Sequence, residues 1–489
     1  MSLNEGPSAP RGVPGTLEGT AAEPAPYSAI PGPRGLELLR LTQRFLSHPH
    51  EAMLDVAVRY GPIVLLPFPL DHIVVLAEPR YIEYVFHQGH HRYDKQSPRW
   101  KTLRRIWGDG LLTADGEVWR RQRQRMQPAF HQDQLPQFAD VIVAEAQKIG
   151  AEWAESARSG QARDVFVDML RCAVRALSKA MFGSDVDGRT DLIIRAVGDI
   201  NAYINPMALG NLLPLPDAVR RRVTPGFREY ERAMDDLRQL FAAIIHARLA
   251  TGDGRKDLLG MIMAGTDDEV SETMTERQLH DEMMTLLMAG HEPVGIATAW
   301  SWYWISQHPE VERTLHAELD AVLGGRAPTL EDVPRLEYTR MVFQEAMRLS
   351  PPIWGVERRA AEDDVIGGYR IPKGTCVALS QYVMHRHAAY WESPTAFDPE
   401  RFAAGASAGR PQYVYFPFGG GPRRCIGMRF SMMQGPLMLA ALAQSFSARP
   451  KPGHPVEPAP RLNLPPKYGL QMYVQRRQRV EAPSAAARA

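Results

Sequence analysis

A mainly α-helical fold with small β-sheets is what this 489-residue sequence predicts, and three observations carry the prediction. Apolar residues recur with helical period over residues 134–155, 163–182, 225–251 and 275–307, and that period marks a buried helix face. Two short runs, Ile63-Val64-Leu65-Leu66 and His72-Ile73-Val74-Val75-Leu76, are dense in β-branched residues and read as paired strands. With 44% hydrophobic and 23% charged residues the chain has the material for a substantial core.

In chain order, residues 1–26 are rich in Gly, Pro, Ala and Glu, without a basic start or an apolar run, and are expected as a disordered leader rather than a signal peptide. Ile30-Pro31-Gly32-Pro33 follows, where the fixed φ of proline directs the chain into the fold. The strands and helices come next, expected as one domain over residues 27–475. The pattern over residues 275–307 is the longest; it opens with a capping box, Thr275-x-x-Gln278, and stops at His308-Pro309. At a rise of 1.5 Å per residue it predicts one central helix of about 50 Å. Residues 476–489, with Ala485-Ala486-Ala487, are expected as a disordered tail.

Composition narrows the function classes. The net charge of +1 argues against nucleic acid or a membrane surface as partner. A membrane anchor needs about 20 consecutive apolar residues, and the sequence has no such run. Three widely spaced cysteines, Cys172, Cys376 and Cys425, give no disulfide framework and point to a reducing, cytoplasmic location.

The chemistry concentrates in Phe418-Gly419-Gly420-Gly421-Pro422-Arg423-Arg424-Cys425-Ile426-Gly427, a glycine-rich, arginine-bearing loop leading into an apolar helix. Positive charge and helix N-terminal N–H groups favour a thiolate, and soft sulfur ligates heme iron and pushes electron density onto it. Cys425 is therefore the expected metal ligand. Gly421 and Gly427 are expected to allow backbone shapes and approaches that a Cβ would block. Phe418 is expected to cover the sulfur, and Arg423 to reach a carboxylate of the cofactor.

The pattern Phe-x-x-Gly-x-Arg-x-Cys-x-Gly resembles the heme-ligand signature of the cytochrome P450 family, and two further motifs fit it in order. Glu345-Ala346-Met347-Arg348 resembles the family's Glu-x-x-Arg, and Pro399-Glu400-Arg401-Phe402 its Pro-Glu-Arg-Phe. Glu345 and Arg348 share a helix face at i and i+3 and are expected to engage Arg401 as a charged triad for folding and heme retention. The resemblance implies the cytochrome P450 fold of a soluble, bacterial-type member, with the long central helix over heme b (iron protoporphyrin IX). It also implies a monooxygenase acting on paired donors with incorporation of molecular oxygen. Trp119 and Arg123 match the family's Trp-x-x-x-Arg and, with Arg423, Lys101 and Arg358, are the expected propionate contacts.

The central helix carries the departure. Ala289-Gly290-His291-Glu292-Pro293-Val294 resembles the oxygen-activation motif, with proline where the usual threonine hydroxyl stands. Pro293 also lacks the N–H that would bond the carbonyl of Ala289. Three routes remain open: protons through Glu292 and water, protons from a hydroxyl on the substrate, or use of peroxide or a pre-oxidised substrate. Peroxide-consuming relatives with this proline carry arginine in place of the acid, so the retained Glu292 favours the monooxygenase reading. The alternatives are a peroxide-dependent or oxygen-independent enzyme of peroxygenase or isomerase type, and a non-catalytic heme protein that binds a small ligand.

Arg120, Arg121, Arg123 and Arg125 form a basic patch on the cysteine side, expected to steer an acidic ferredoxin or flavodoxin that is reduced by its own reductase. No flavin or iron–sulfur domain is expected in the chain, and it is expected to act as a monomer. The substrate pocket is expected from the loop Tyr93 to Trp107, the segment Ile200 to Leu213, Met284 to Met288, Ile353, Trp354 and Val356, and the segment of Pro465 and Tyr468. These residues are mainly apolar and aromatic, which favours a fatty acid, terpene or polyketide-like molecule.

Overall fold

Three of the four long helical patterns form single helices, Pro136–Ser159, Val165–Phe182 and Phe227–Thr251, with ends within a few residues of those expected. The computed structural model describes residues 23–68, 71–186, 188–210, 219, 224–251, 257–264 and 274–477. The stops and starts have local causes. Pro136 opens its helix where a missing N–H costs nothing, and Gly160 closes it with φ 69° and ψ 14°. The carboxylate of Asp164 accepts the N–H groups of Phe166 and Val167 and so caps the next helix.

The fourth pattern is where structure and expectation part. Residues 275–307 form two helices, Glu276–Gly290 and Glu292–Gln307, separated at His291 with φ −103° and ψ −43°. The expected capping box of Thr275 and Gln278 is present, so the helix starts as read. It breaks because Pro293 supplies no N–H to the carbonyl of Ala289, and its ring crowds the preceding turn. The second helix lies in the core, against the helices Val165–Phe182, Glu337–Leu349 and Met428–Ala443. At Gly290 a Cβ would stand 2.8 Å from Cδ2 of Leu177, so this glycine lets the broken turn approach its neighbour.

The two expected strands, Ile63–Pro67 and His72–Leu76, pair antiparallel with Ile63 opposite Leu76. They head a five-stranded sheet continued by Cys376–Leu379, Val356–Ala360 and Tyr93–Asp94. A second sheet joins Ala162–Asp164, Gln471–Arg476 and Phe446–Pro450. The predicted fold class, mainly α with small sheets, is the observed one.

Both ends of the described chain reach into segments expected as leader and tail. Ala25 pairs with Tyr369, its N–H donating to the Gly368 carbonyl at 2.8 Å. Arg476 ends a strand, and the N–H of Arg477 donates to the Ser445 carbonyl at 2.9 Å. Residues 1–22 and 478–489 lie outside the described residues.

The charged triad sits in the core. Glu345 and Arg348 are both fully buried and doubly hydrogen-bonded, each contact 2.7 Å long. Arg348 also donates to the carbonyls of His385, Pro394 and Ala396 at 2.7–2.8 Å, so its fork is fully used. Arg401 is the looser member, its Nε 3.5 Å from Oε1 of Glu345. The Asp398 N–H donates to that same oxygen at 2.8 Å, tying the Pro399–Phe402 turn to the helix. Among the described residues no helix is long and apolar enough to cross a membrane.

Candidate functional site

A cavity of about 320 Å³ lies between the Cys425 loop and the break in the central helix. On the loop side Gly421 has φ 64°, and a Cβ there would fall 1.8 Å from the Phe86 carbonyl oxygen. Glycine is therefore required at this position for the loop to pack. The N–H of Cys425 donates to the Phe418 carbonyl at 3.0 Å, which holds the sulfur-bearing residue over the first turn of Met428–Ala443. Phe418 and Cys425 both line the cavity. Burial pushes the Cys425 thiol up, while the Gly427 N–H, Arg123 and Arg424 pull it down. Gly427 lines the cavity with φ −83°, and a Cβ there would meet no protein atom within 4 Å.

Beside the loop is a cluster of cations, of which Lys95 and Arg358 are buried and Arg423 partly so. Arg423 donates to the Ala114 carbonyl at 2.9 Å, pairs with Asp115, and lies over the Trp119 ring at 4.3 Å. Arg358 is 8% exposed and donates to the Glu357 carbonyl at 2.8 Å; burial first, then repulsion by Arg423, lowers it to about 10. Lys95, 5% exposed, donates to the Leu112 carbonyl at 2.6 Å and is held well below the usual lysine range by burial and by Arg358 and Arg423. Lys95 and Arg358, both buried, and the partly buried Arg423 thus line the cavity together, with Asp115, Asp94 and Glu357 as the carboxylates acting on them, and their donors suit the carboxylates of a cofactor bound there. The expected Lys101 is exposed and does not line the cavity, whereas Lys95 does. Arg123 lines it too, donating to the Arg424 carbonyl at 2.9 Å.

On the opposite wall Ala289, Gly290 and Pro293 line the cavity as expected. The hydroxyls further along this helix are committed elsewhere: Thr298 donates to the Val294 carbonyl and Ser301 to that of Ala297, both at 2.8 Å. Glu292 points to a pair of amides. Its Oε2 accepts from Nδ2 of Asn201 at 2.9 Å and from Nδ2 of Asn463 at 2.7 Å. Burial raises its carboxyl to about 7, against the pull of Asn463, Arg461 and Asn201. His291 is buried, contacts the Leu287 carbonyl through Nδ1 at 2.6 Å and is lowered to about 4 by burial, so it is neutral.

The remaining lining is apolar, with Met288, Ile353 and Val356 where they were expected. Four expected pocket residues, Trp354, Tyr468, Pro465 and Ile200, are elsewhere. Trp354 turns into the sheet-side core and its indole N–H donates to the Arg461 carbonyl at 2.9 Å. Tyr468 is 46% exposed and does not line the cavity, nor does Pro465; Leu462 and Asn463 represent that segment instead. Ile200 is packed in the core away from the cavity, and residues 211–213 lie outside the described residues. On the expected docking face Arg120 and Arg121 are exposed, with Arg120 paired to Glu117. Lys95, Asp115, Asn201 and Asn463 were not singled out by sequence, although Lys95 and Asn201 lie in the segments Tyr93 to Trp107 and Ile200 to Leu213 already expected at the pocket.

Comparison with known proteins adds three findings. A family model described as Cytochrome P450 matches residues 30–472. Cyclooctatin synthase of Streptomyces melanosporofaciens is 38% identical over 379 residues, covering 76% of this chain and 80% of that protein. Cyclooctat-9-en-7-ol 5-monooxygenase of the same organism is 32% identical, covering 72% and 75%. Pentalenene oxygenase of Streptomyces avermitilis is 29% identical, covering 75% and 80%. The crystal structure of the cytochrome P450DA heme domain superposes with a TM-score of 0.83 at 26% identity, covering 94% of this chain and 98% of that one.

Proposed function

The chain belongs to the cytochrome P450 family and is a heme b monooxygenase, and from that premise we propose that it oxidises a cyclic hydrocarbon of terpene type, with Glu292 delivering protons in place of the absent threonine. The substrate reading is supported by the names of the relatives, two of which act on pentalenene and cyclooctat-9-en-7-ol, and by a cavity lined mainly with apolar side chains. The heme, bound through the Cys425 thiolate, supplies reductive activation of dioxygen and insertion of one oxygen atom. Everything else falls to this chain's side chains.

Arg423, Arg358 and Lys95 would hold the propionates, with Trp119 and Arg123 beside them, because all five line the cavity next to the Cys425 loop and offer it cationic or N–H donors. Met288, Ile353 and Val356 hold the hydrocarbon by shape and exclude bulk water. The observation that carries the proton role is Glu292 itself: an acid raised to about 7, next to the helix break and bridged by Asn463 to the cavity wall. Near neutral pH such a group both donates and regains a proton. Electrons come from a separate ferredoxin or flavodoxin with its reductase, docked on the face bearing Arg120 and Arg121.

The test is an absorbance screen of the ferric holoprotein with cyclic hydrocarbons and their alcohols, followed by product analysis of each binder. Product with ferredoxin, reductase and NAD(P)H is expected. Product formed only with hydrogen peroxide, and none with ferredoxin, reductase and NAD(P)H, would replace this reading by a peroxygenase, and binding without turnover in either system by a ligand-binding protein.

A further inference from the structure

The two amides on Glu292 do not share their work between the carboxyl oxygens: both donate to Oε2. A carboxyl oxygen that accepts two N–H bonds has both lone pairs engaged, so protonation there would cost one of the contacts of 2.9 and 2.7 Å. The donors come from places far apart in the chain. Asn201 lies on the helix Thr190–Gly210, and Asn463 on the segment that also lines the cavity.

That second segment is stapled in place. The Trp354 indole donates to the Arg461 carbonyl, the Trp300 indole to the Leu464 carbonyl, and the Leu464 N–H to the Pro352 carbonyl, all at 2.9 Å. Asn463 itself is 5% exposed. Its amide is thus fixed from both sides. The clamp is also uncharged: two amides favour the carboxylate by dipole only, so burial still holds the acid near neutrality, which an arginine or lysine in their place would undo. Among the described residues the full charge acting on the carboxyl is that of the exposed Arg461, and the adjacent His291 is neutral.

We propose that Asn201 and Asn463 are positioning residues that lock Oε2 of Glu292 as an acceptor, so that the acid carries its exchangeable proton on Oε1 alone. This rests on the reading of Glu292 as proton donor and adds which oxygen gives the proton and what fixes it. The clamp replaces orientation that a neighbouring hydroxyl would otherwise provide.

The experiment is isotope-edited infrared titration of the Glu292 carboxyl in the holoprotein, with E292Q identifying the band. In the wild type the protonated-carboxyl band is expected to fade with a midpoint near pH 7. Removing one donor in N463L or N201L is expected to raise that midpoint by about one unit, a tenfold change, because a hydrogen bond to the charged form is lost. The band should also broaden once Oε2 is free to take the proton. The variants lie on different elements, so one remains readable if the other fails to fold. A midpoint and band shape unchanged in folded N463L and N201L would overturn the clamp. A shifted midpoint without a matching shift in the pH profile of NAD(P)H-driven turnover would uphold the clamp and remove Glu292 from proton delivery.

Discussion

The two walls of the cavity are built on opposite plans. Around Cys425 the chain is over-determined: Gly421 cannot be enlarged, the Cys425 N–H is tied to Phe418, and Lys95, Arg358 and Arg423 line the cavity together. Around Pro293 the helix is broken, the hydroxyls of Thr298 and Ser301 are spent on their own helix, and a single acid hangs on two amides. One wall fixes a cofactor by strong, redundant contacts; the other leaves a proton site weakly biased and therefore able to titrate. A group that must exchange protons near pH 7 cannot be held by the kind of full charge that anchors a cofactor.

Substitutions on the two walls should separate these plans. Largest is C425A, expected to abolish the thiolate signature in the carbon monoxide difference spectrum and all turnover. Next, E345A leaves Arg348 charged in a fully buried site, and is expected to cost about 3–5 kcal/mol in chemical denaturation and to yield little holoprotein. G421A forces a Cβ against the Phe86 carbonyl at positive φ and is expected to cost about 1–3 kcal/mol and loosen heme. On the other wall E292Q should act through pH. The native carboxyl is raised from 4.5 to about 7, so it carries no penalty below pH 4.5 and its full penalty above pH 7. E292Q is therefore expected to be more stable than the wild type above pH 7, by at most about 3 kcal/mol, with the gap closing as pH falls to 4.5. Smallest is the pair K95A and K101A: the first is expected to speed heme loss to apomyoglobin several-fold, the second to leave it unchanged, since Lys101 is exposed.

What could be read in the sequence follows the same division. The Cys425 loop, Glu345, Arg348 and Arg423 are legible because dense local motifs specify them, and helical periodicity placed three long helices within a few residues. The break at His291 was half legible: Pro293 announced a missing N–H, but whether a kinked helix stays continuous depends on packing. Lys101 was expected from the family resemblance, which says nothing of burial; the chain turns at Ser97 to start the helix Pro98–Trp107 and leaves Lys95 inside. Trp354 and Tyr468 were chosen as large apolar side chains in the right segments, yet one serves as a staple and the other faces solvent. Asn201 and Asn463 stand 91 and 171 residues from Glu292, and nothing local marks an amide that meets a carboxyl only through tertiary packing.

The account turns on Glu292 as the proton donor of a wall without threonine, and one comparison tests it directly. With a substrate from the absorbance screen, product formed per NAD(P)H consumed is measured for the wild type and E292Q, alongside product formed with hydrogen peroxide, which brings its own protons. The account predicts that E292Q loses about 10²-fold or more of NAD(P)H-driven product while its peroxide-driven product stays near the wild-type level. Equal NAD(P)H-driven coupling in the two proteins would contradict it.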